Sequence, residues 1–346
     1  MASEIGSLTK QRNGSGSASW AEGKWHKDDL CAYPADIDAF NDLSKLIRHH
    51  VINGHVPKSP VLTLNDNVIT LGSCFASELR YFLNDVGLAS DSFWVPSGLN
   101  NTFALLDFVS WCVRGEQTSR GFRYERTHEG KLEDWQPAYE RDQYVDYLRD
   151  AGAIVFTIGL AEVWEDARSG KVFWRGIPES VFDENRHVFR VTTVEENKRN
   201  IGEIIDLIRE VNAHAPIIIT LSPVPLKATF RNSSCVTSDC ISKSILRVAI
   251  DTLMSEERPD VYYWPSFEVV KWVGCHMPYS VYGTDDDVVR HVSRYVILNI
   301  LFEFIRSYYG EETMSQVQDA YKPSLQEETG SAGEPPKLWR GKIVTA

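Results

Sequence analysis

The sequence predicts an α/β fold in which a mainly parallel sheet is covered by helices on both faces. Short apolar runs alternate along the chain with longer segments of helical periodicity, an order typical of successive β-α units. The chain has 346 residues, of which 43% are hydrophobic and 24% charged, a composition typical of globular proteins. This length suffices for one large domain or two small ones with a substantial buried core.

The strands are predicted where short apolar runs stand between turn residues, at 68–71, 153–158, 217–221 and, more weakly, 261–264. Helices are predicted where apolar residues recur with helical spacing, at 77–86, 102–114, 194–212, 242–256 and 293–309. The polar residues 1–20 and 323–346 are predicted to be mobile tails. This leaves one domain, which we expect to span residues 55–310.

Charge and composition exclude several classes of protein. Asp and Glu number 48 against 36 Lys and Arg, and the net charge of −12 argues against nucleic-acid binding. The first residues lack the apolar segment of a secretory signal, and no window reaches the roughly 18 apolar residues of a membrane span. The six cysteines have no zinc-like spacing. We therefore expect a cytoplasmic protein with reduced thiols, no cofactor and no metal.

Three short segments directly follow predicted strands: residues 72–74, 159–162 and 222–225. Ligands of open α/β sheets bind just beyond the carboxyl ends of the strands. These segments are therefore the predicted location of the functional site.

Gly72, Ser73 and Cys74 form the first of these segments, at a turn from strand to helix. Backbone N–H groups at a helix start bind anions, and ester chemistry needs such donors about 3 Å from the developing oxyanion. Ser73 is thus a candidate nucleophile, although serine at this position is also a common helix cap. Cys74 is a rival nucleophile, since a helix start lowers the pKa of a thiol, but cysteine more often packs in the core.

A serine nucleophile needs a base, and the candidate is His291, which follows the acidic residues 285–287. A carboxylate beside a histidine fixes its tautomer and stabilises its protonated form. The same residues also fit a solvated acidic turn or a divalent metal site, although the spacing of a calcium loop is absent.

In the second segment, Gly159 permits a close backbone approach. Glu162 either orients a substrate or begins a helix.

The string GSCFA at residues 72–76 resembles the signature of the GSCFA domain family, a branch of the GDSL/SGNH hydrolase superfamily. Further segments that agree are PSGLNNTF at 96–103, FTIGLAEVW at 156–164, HVFRVTTVEEN at 187–197 and TLSPVPLKATF at 220–230. The resemblance spans roughly residues 60–305. It implies a three-layer α/β/α, flavodoxin-like fold of the SGNH-hydrolase type.

The resemblance also implies roles for individual residues. Ser73 takes the place of the nucleophile, with its own N–H in the oxyanion hole beside Gly72 and Cys74. The second block of the superfamily contributes a glycine N–H to the oxyanion hole. It falls here on the range from Gly98 to Asn101, and the matching residue is left open. Gly159 matches the glycine of the third block, whose usual asparagine is replaced by Glu162. The superfamily has an aspartate three residues before its histidine, where Val288 stands here, so the role falls to Asp287 or to its neighbours Asp285 and Asp286.

The function implied is hydrolysis of an acyl ester by Ser73 and His291, with an O-acylated carbohydrate as the candidate substrate. Tryptophans in polar surroundings agree with a sugar ligand, although packing in the core is the more common explanation for them. Transfer of the acyl group to another hydroxyl, a carbohydrate-binding module without catalysis, and a Cys74 enzyme are the alternatives.

Overall fold

The structure is a computed structural model. It describes residues 10–12, 18–20, 32–34, 36–93, 95, 99–115, 124–126, 132–321, 327–328 and 337–338. Gly98 and most of both predicted tails lie outside these ranges. The tails therefore stay a prediction.

Helices and strands alternate through the described chain. The strands are β1 (Lys10–Arg12), β2 (Ala18–Trp20), β3 (Val68–Gly72), β4 (Ser90–Ser92), β5 (Tyr124–Arg126), β6 (Leu132–Asp134), β7 (Ala153–Ile158), β8 (Glu162–Asp166), β9 (His187–Val191), β10 (Ile217–Leu221), β11 (Val261–Trp264), β12 (Glu327–Glu328) and β13 (Lys337–Leu338). The helices are α1 (Leu43–Leu46), α2 (Cys74–Asp85), α3 (Thr102–Arg114), α4 (Arg141–Arg149), α5 (Val194–Val211), α6 (Cys235–Met254), α7 (Ser266–Glu268), α8 (Arg294–Tyr308) and α9 (Glu311–Tyr321).

A five-stranded parallel sheet lies at the centre, in the order β4-β3-β7-β10-β11. Numbered by their appearance in the chain, these strands run 2-1-3-4-5, which is the flavodoxin-like order. The order reverses between β3 and β7, and ligands of such folds bind at the carboxyl ends of the strands at this switch point. Ser73 follows β3 and Gly159 follows β7, so both lie at this position.

Different helices cover the two faces of the sheet, which confirms the predicted three-layer α/β/α arrangement. Val68 and Val155 pack on one face with residues of α2 and α8. Their neighbours in the same strands, Ile69 and Ile154, pack on the other face with residues of α3, α5 and α6. The first of these cores also takes in Phe40 and Met314, on either side of the 55–310 range expected for the domain.

Several elements differ from the sequence prediction. Helix α6 begins at Cys235, seven residues before the predicted start, because the Ser234 hydroxyl accepts a hydrogen bond from the N–H of Val236 and caps it. Glu162 begins strand β8, not a helix, and β8 pairs antiparallel with β9. Within the described residues, no helix is long and apolar enough to cross a membrane. The five cysteines that are described are all unpaired thiols.

Candidate active site

A cavity of about 520 Å³ opens at the carboxyl ends of the central strands. Ser73, Gly159 and Ser222, which follow β3, β7 and β10, line it together with His291. The fold thus brings the three predicted segments and the late histidine to one place.

Gly72 permits the sharp turn that leads into the site. Its φ of +114° lies in the left-handed region, and a Cβ at this position would stand 2.2 Å from the carbonyl oxygen of Thr157 on the neighbouring strand β7. Only glycine combines this backbone angle with so close an approach. Gly72 therefore sets the position of Ser73 against the end of β7.

Ser73 occupies the N-cap position of α2, yet its hydroxyl does not cap the helix. The side chain is only 8% exposed, and its Oγ has no hydrogen-bond partner among the described residues. Buried hydroxyls are normally paired, so an unpaired one at a cavity wall requires an explanation. The capping interpretation of Ser73 is therefore not supported by the geometry.

Cys74 is exposed, contrary to the expectation that it packs in the core. The core-facing side of α2 carries Phe75, Leu79 and Phe82, and the helical spacing directs Cys74 away from that side. Cys74 lines the main cavity and also a smaller apolar cavity of about 370 Å³, whose wall includes Ile297.

The acidic partner of His291 is Asp286. Its Oδ2 lies 2.5 Å from His291 Nδ1, and its Oδ1 accepts a hydrogen bond from the N–H of Val288. These two hydrogen bonds, that of His291 being the larger effect, lower the pKa of the Asp286 carboxyl. Asp286 is therefore ionised at neutral pH and fixes the orientation of the imidazole ring.

The other two aspartates of this loop have different environments. Asp285 accepts a hydrogen bond from the N–H of Arg294, the first residue of α8. Asp287, the partner expected from the sequence, is exposed and has a φ of +58°. The aspartate that binds His291 is thus Asp286, one residue before the expected Asp287. In the described part of the chain, no cluster of three or more potential ligands is arranged to hold a metal ion.

His291 lies in a loop that ends before α8 begins, not at the helix start as predicted. Two side chains tie this loop to the segment that follows β10. Arg290 donates a hydrogen bond to the carbonyl of Pro225 at 2.8 Å, and Tyr282 donates one to the carbonyl of Pro223 at 2.9 Å. The loop therefore holds a half-exposed histidine at the cavity rim by contacts that do not involve its ring.

Asn101, expected to contribute to the site, has a structural role. It is 4% exposed and caps α3, since its Oδ1 accepts from the N–H of Ala104 and its Nδ2 donates to the carbonyl of Trp174. Asn101 and the preceding residue, Asn100, both line the cavity, and the buried Oδ1 of Asn100 has no hydrogen-bond partner among the described residues. The amide nitrogen of Asn100 lies beside Gly159, since a Cβ added at Gly159 would stand 3.7 Å from Nδ2.

Gly159 uses both of its backbone groups within the protein. Its N–H donates to the carbonyl of Asn100 at 2.7 Å, and its carbonyl accepts from Nζ of Lys243 at 2.8 Å. Its N–H is therefore unavailable to an oxyanion, although Gly159 was expected among the residues that contact the oxyanion or the substrate. Burial lowers the pKa of Lys243, which is 2% exposed, to about 8.

Sequence reasoning missed Lys243, although a signal was present. Within the predicted helix, Lys243 stands three and seven residues before the apolar Leu246 and Ile250, on the side that packs in the core. A lysine in an apolar stripe is rare unless it has a specific partner, which here is the carbonyl of Gly159.

Glu162 lines the cavity at the start of β8. Burial raises the pKa of its carboxyl, while a hydrogen bond from the Thr229 hydroxyl and the charge of Arg231 lower it to a smaller extent. The net effect of this environment is a raised pKa of the Glu162 carboxyl.

Fold and cavity together define an α/β protein with a ligand site at the switch point of a flavodoxin-like sheet. The model of the GSCFA family matches residues 67–304. The chain belongs to this family. No curated protein sequence matches it.

Solved structures with a similar chain path include three esterases. A carbohydrate esterase family 2 enzyme of Corynascus thermopiles (Myceliophthora fergusii) is 11% identical, with a TM-score of 0.31 over 61% of this chain and 58% of its own. A family two carbohydrate esterase of Cellvibrio japonicus is 10% identical, with a TM-score of 0.33 over 74% of this chain and 63% of its own. An acetyl xylan esterase of Butyrivibrio proteoclasticus is 14% identical, with a TM-score of 0.31 over 72% of this chain and 65% of its own. The chain thus spans less than two thirds of each of these structures.

Proposed function

We propose that the protein is a serine-dependent hydrolase of acyl esters, with Ser73 as nucleophile and His291 as general base. One observation carries this proposal. The Ser73 hydroxyl is buried at a helix start without a hydrogen-bond partner among the described residues, in a cavity that His291 also lines. A serine with a purely structural role at this position would accept a hydrogen bond from the first turn of the helix.

The reaction follows from these groups. His291 removes the hydroxyl proton of Ser73 through Nε2, and Oγ attacks the acyl carbonyl to form a tetrahedral intermediate. Asp286, on Nδ1, stabilises the imidazolium that results. The intermediate collapses, the alcohol leaves with the proton from His291, and the acyl group remains on Ser73. Water, deprotonated by His291, then releases the acid and restores the serine.

The oxyanion requires hydrogen-bond donors that are in place before the reaction. We assign this role to the N–H groups at the start of α2 and to the side-chain amide of Asn100. Asn100 would thus supply the amide that the superfamily takes from its third block. Glu162 stands in that block here, and its Oε1 accepts a hydrogen bond from the Thr229 hydroxyl.

Transfer of the acyl group to a sugar hydroxyl uses the same first half-reaction and differs only in the acceptor. The two outcomes are separated by adding an alcohol acceptor to the assay and measuring the ratio of acid to new ester. A transferase would form the new ester in preference to the free acid, even though water is in large excess.

The test is hydrolysis of p-nitrophenyl acetate and butyrate by wild type, Ser73→Ala and His291→Ala. Cys74→Ala is the matched control, since Cys74 is adjacent to Ser73 and lines the same cavity. We expect both catalytic variants to lose about 1,000-fold or more in turnover and Cys74→Ala to retain it. Each variant's far-UV circular dichroism must match that of the wild type.

Two results would contradict the proposal. Loss of turnover in Cys74→Ala, with Ser73→Ala still active, would identify the thiol as nucleophile. A folded wild type that neither turns over any ester nor reacts with a fluorophosphonate serine probe would indicate a binding module without catalysis.

A further inference from the structure

The charge of the main cavity is opposite to that of the whole chain. Acidic residues outnumber basic ones by 48 to 36 in the sequence. Four cationic side chains line the cavity against a single carboxylate, Glu162. The cationic residues are Arg175, Lys227, Lys243 and Arg290. Clefts lined by one sign of charge attract ligands of the opposite sign.

No carboxylate among the described residues forms an ion pair with any of these four cations. Lys243 experiences the charge of Asp239 without pairing with it. Lys243 donates to the carbonyl of Gly159, and Arg290 donates to the carbonyl of Pro225. Both partners are neutral, so the positive charge of the cavity remains.

Arg175 is the cation best suited to contact a ligand. It is half-buried and lies between the buried residues Trp174 and Ile177, which fix its backbone. Its guanidinium forms neither a hydrogen bond nor an ion pair with the described residues, although it lines the cavity. Arginine commonly binds carboxylate and phosphate groups through two parallel hydrogen bonds.

An apolar surface accompanies this charge. Phe230 lines the cavity and is 65% exposed, and its ring centroid lies 4.7 Å from that of Trp164, which lines the same wall. A large exposed aromatic side chain inside a cavity offers a face on which a ring can stack. The cavity therefore combines a stacking surface with unneutralised cations.

We propose that the ester bound by this cavity is that of an anionic sugar, in which Arg175 binds a carboxylate or phosphate on the alcohol part and Phe230 packs against the sugar ring. The proposal rests on the proposed ester hydrolysis at Ser73. It adds the substrate class and two specificity-determining residues.

The test compares three acetylated substrates that differ in charge. These are the O-acetylated methyl glycoside of glucuronic acid, whose carboxylate is free, the corresponding uronamide, which has the same shape without the charge, and O-acetyl glucose 6-phosphate. We expect kcat/KM of wild type to be about 10- to 100-fold higher for the anionic substrates than for the uronamide, and to decrease with added salt. The ratio between uronate and phosphate identifies which anion the site prefers.

Arg175→Gln should lower kcat/KM for the two anionic substrates to the level of the uronamide. Arg168→Gln is the matched control, because Arg168 is exposed in the same connection between β8 and β9 but does not line the cavity. Phe230→Ala should raise KM for all three sugars alike. Equal rates for charged and neutral substrates, or an unchanged preference in Arg175→Gln, would overturn the proposal.

A binding measurement separates this proposal from the catalytic one. Calorimetric titrations into wild type and Arg175→Gln compare three ligands. These are the methyl glycoside of glucuronic acid, whose carboxylate is free, glucose 6-phosphate and neutral methyl glucoside. Anion binding that depends on Arg175, in a protein without esterase activity, would support the anion site and refute the hydrolase. Absence of such binding would refute the anion site, whatever the activity.

Discussion

Lys243 offers a quantitative test of the electrostatics at this site. Its ammonium group is 2% exposed, and burial lowers its pKa from 10.5 to about 8. In the unfolded chain the amine is solvated and has its ordinary pKa. Between pH 8 and pH 10.5 the unfolded state therefore binds more protons than the native state, and stability contributed by this group rises with pH.

Replacing Lys243 with methionine, which has a similar length and no charge, removes this titration. A difference of 2.5 pKa units corresponds to about 3 kcal/mol over the full pH range. About 2 kcal/mol of it should be gained between pH 7 and pH 9.5. The free energy of unfolding of wild type, minus that of Lys243→Met, should become more positive by this amount as the pH rises.

The assay is urea denaturation of both proteins at half-unit pH intervals. Buried tyrosines also titrate differently in the two states, for instance Tyr263, whose pKa burial raises. Such contributions are common to both proteins and cancel in the difference. Lys45→Met, at an exposed position in α1 that does not line the cavity, is the control for replacing a lysine with methionine. A wild-type minus Lys243→Met difference that is flat from pH 7 to 9.5, or that falls, would refute the burial of a charged Lys243.

Three further predictions concern the positioning of the site. Gly72→Ala should lower the free energy of unfolding in urea by about 3 kcal/mol or more, whereas Gly87→Ala, which has a φ of +81° but open space around it, should cost about 1 kcal/mol. Asp286→Asn should lower kcat for p-nitrophenyl acetate by about 100-fold or more at unchanged stability, and Asp287→Asn should leave it unchanged, since asparagine tolerates the left-handed backbone. Asn100→Ala should lower kcat by about 100-fold through loss of an oxyanion donor. Equal losses for the two aspartates, or full activity in Asn100→Ala, would contradict these assignments.

The central strands could be predicted because burial on both faces leaves a direct mark on the sequence. Strands β7 and β10 are continuous apolar runs, AIVFTI and IIITL, and a parallel sheet between two helical layers produces such runs. Strand β4 has the sequence SDS and no such apolar run, because it is a three-residue strand at the edge of the sheet. Its pairing depends on the neighbouring strand β3, which local sequence does not reveal.

The site was predictable at the level of segments but less so at the level of single side chains. Chain order and the switch-point rule located Ser73 and Gly159 at the same edge. Which of three consecutive aspartates meets His291 depends on the loop geometry, and the left-handed backbone at Asp287 is part of that geometry. Asn100 and Asn101 are likewise adjacent and chemically identical, and only the start of α3 decides which of them is the cap.

The start of α2 differs from those of four other helices that also have a polar residue at the N-cap position. Helices α3, α5, α6 and α8 each begin with a side chain that accepts a hydrogen bond from the first turn. Helix α2 has a serine in the same position, but that serine forms no such bond. Its absence costs about 1 kcal/mol of stability. Departures from local rules of this kind concentrate at functional sites, because the groups left unpaired are those that a ligand uses. The uncapped N–H groups and the unpaired hydroxyl at Ser73 lie in adjacent positions, which is the arrangement that the proposed attack on an ester carbonyl requires.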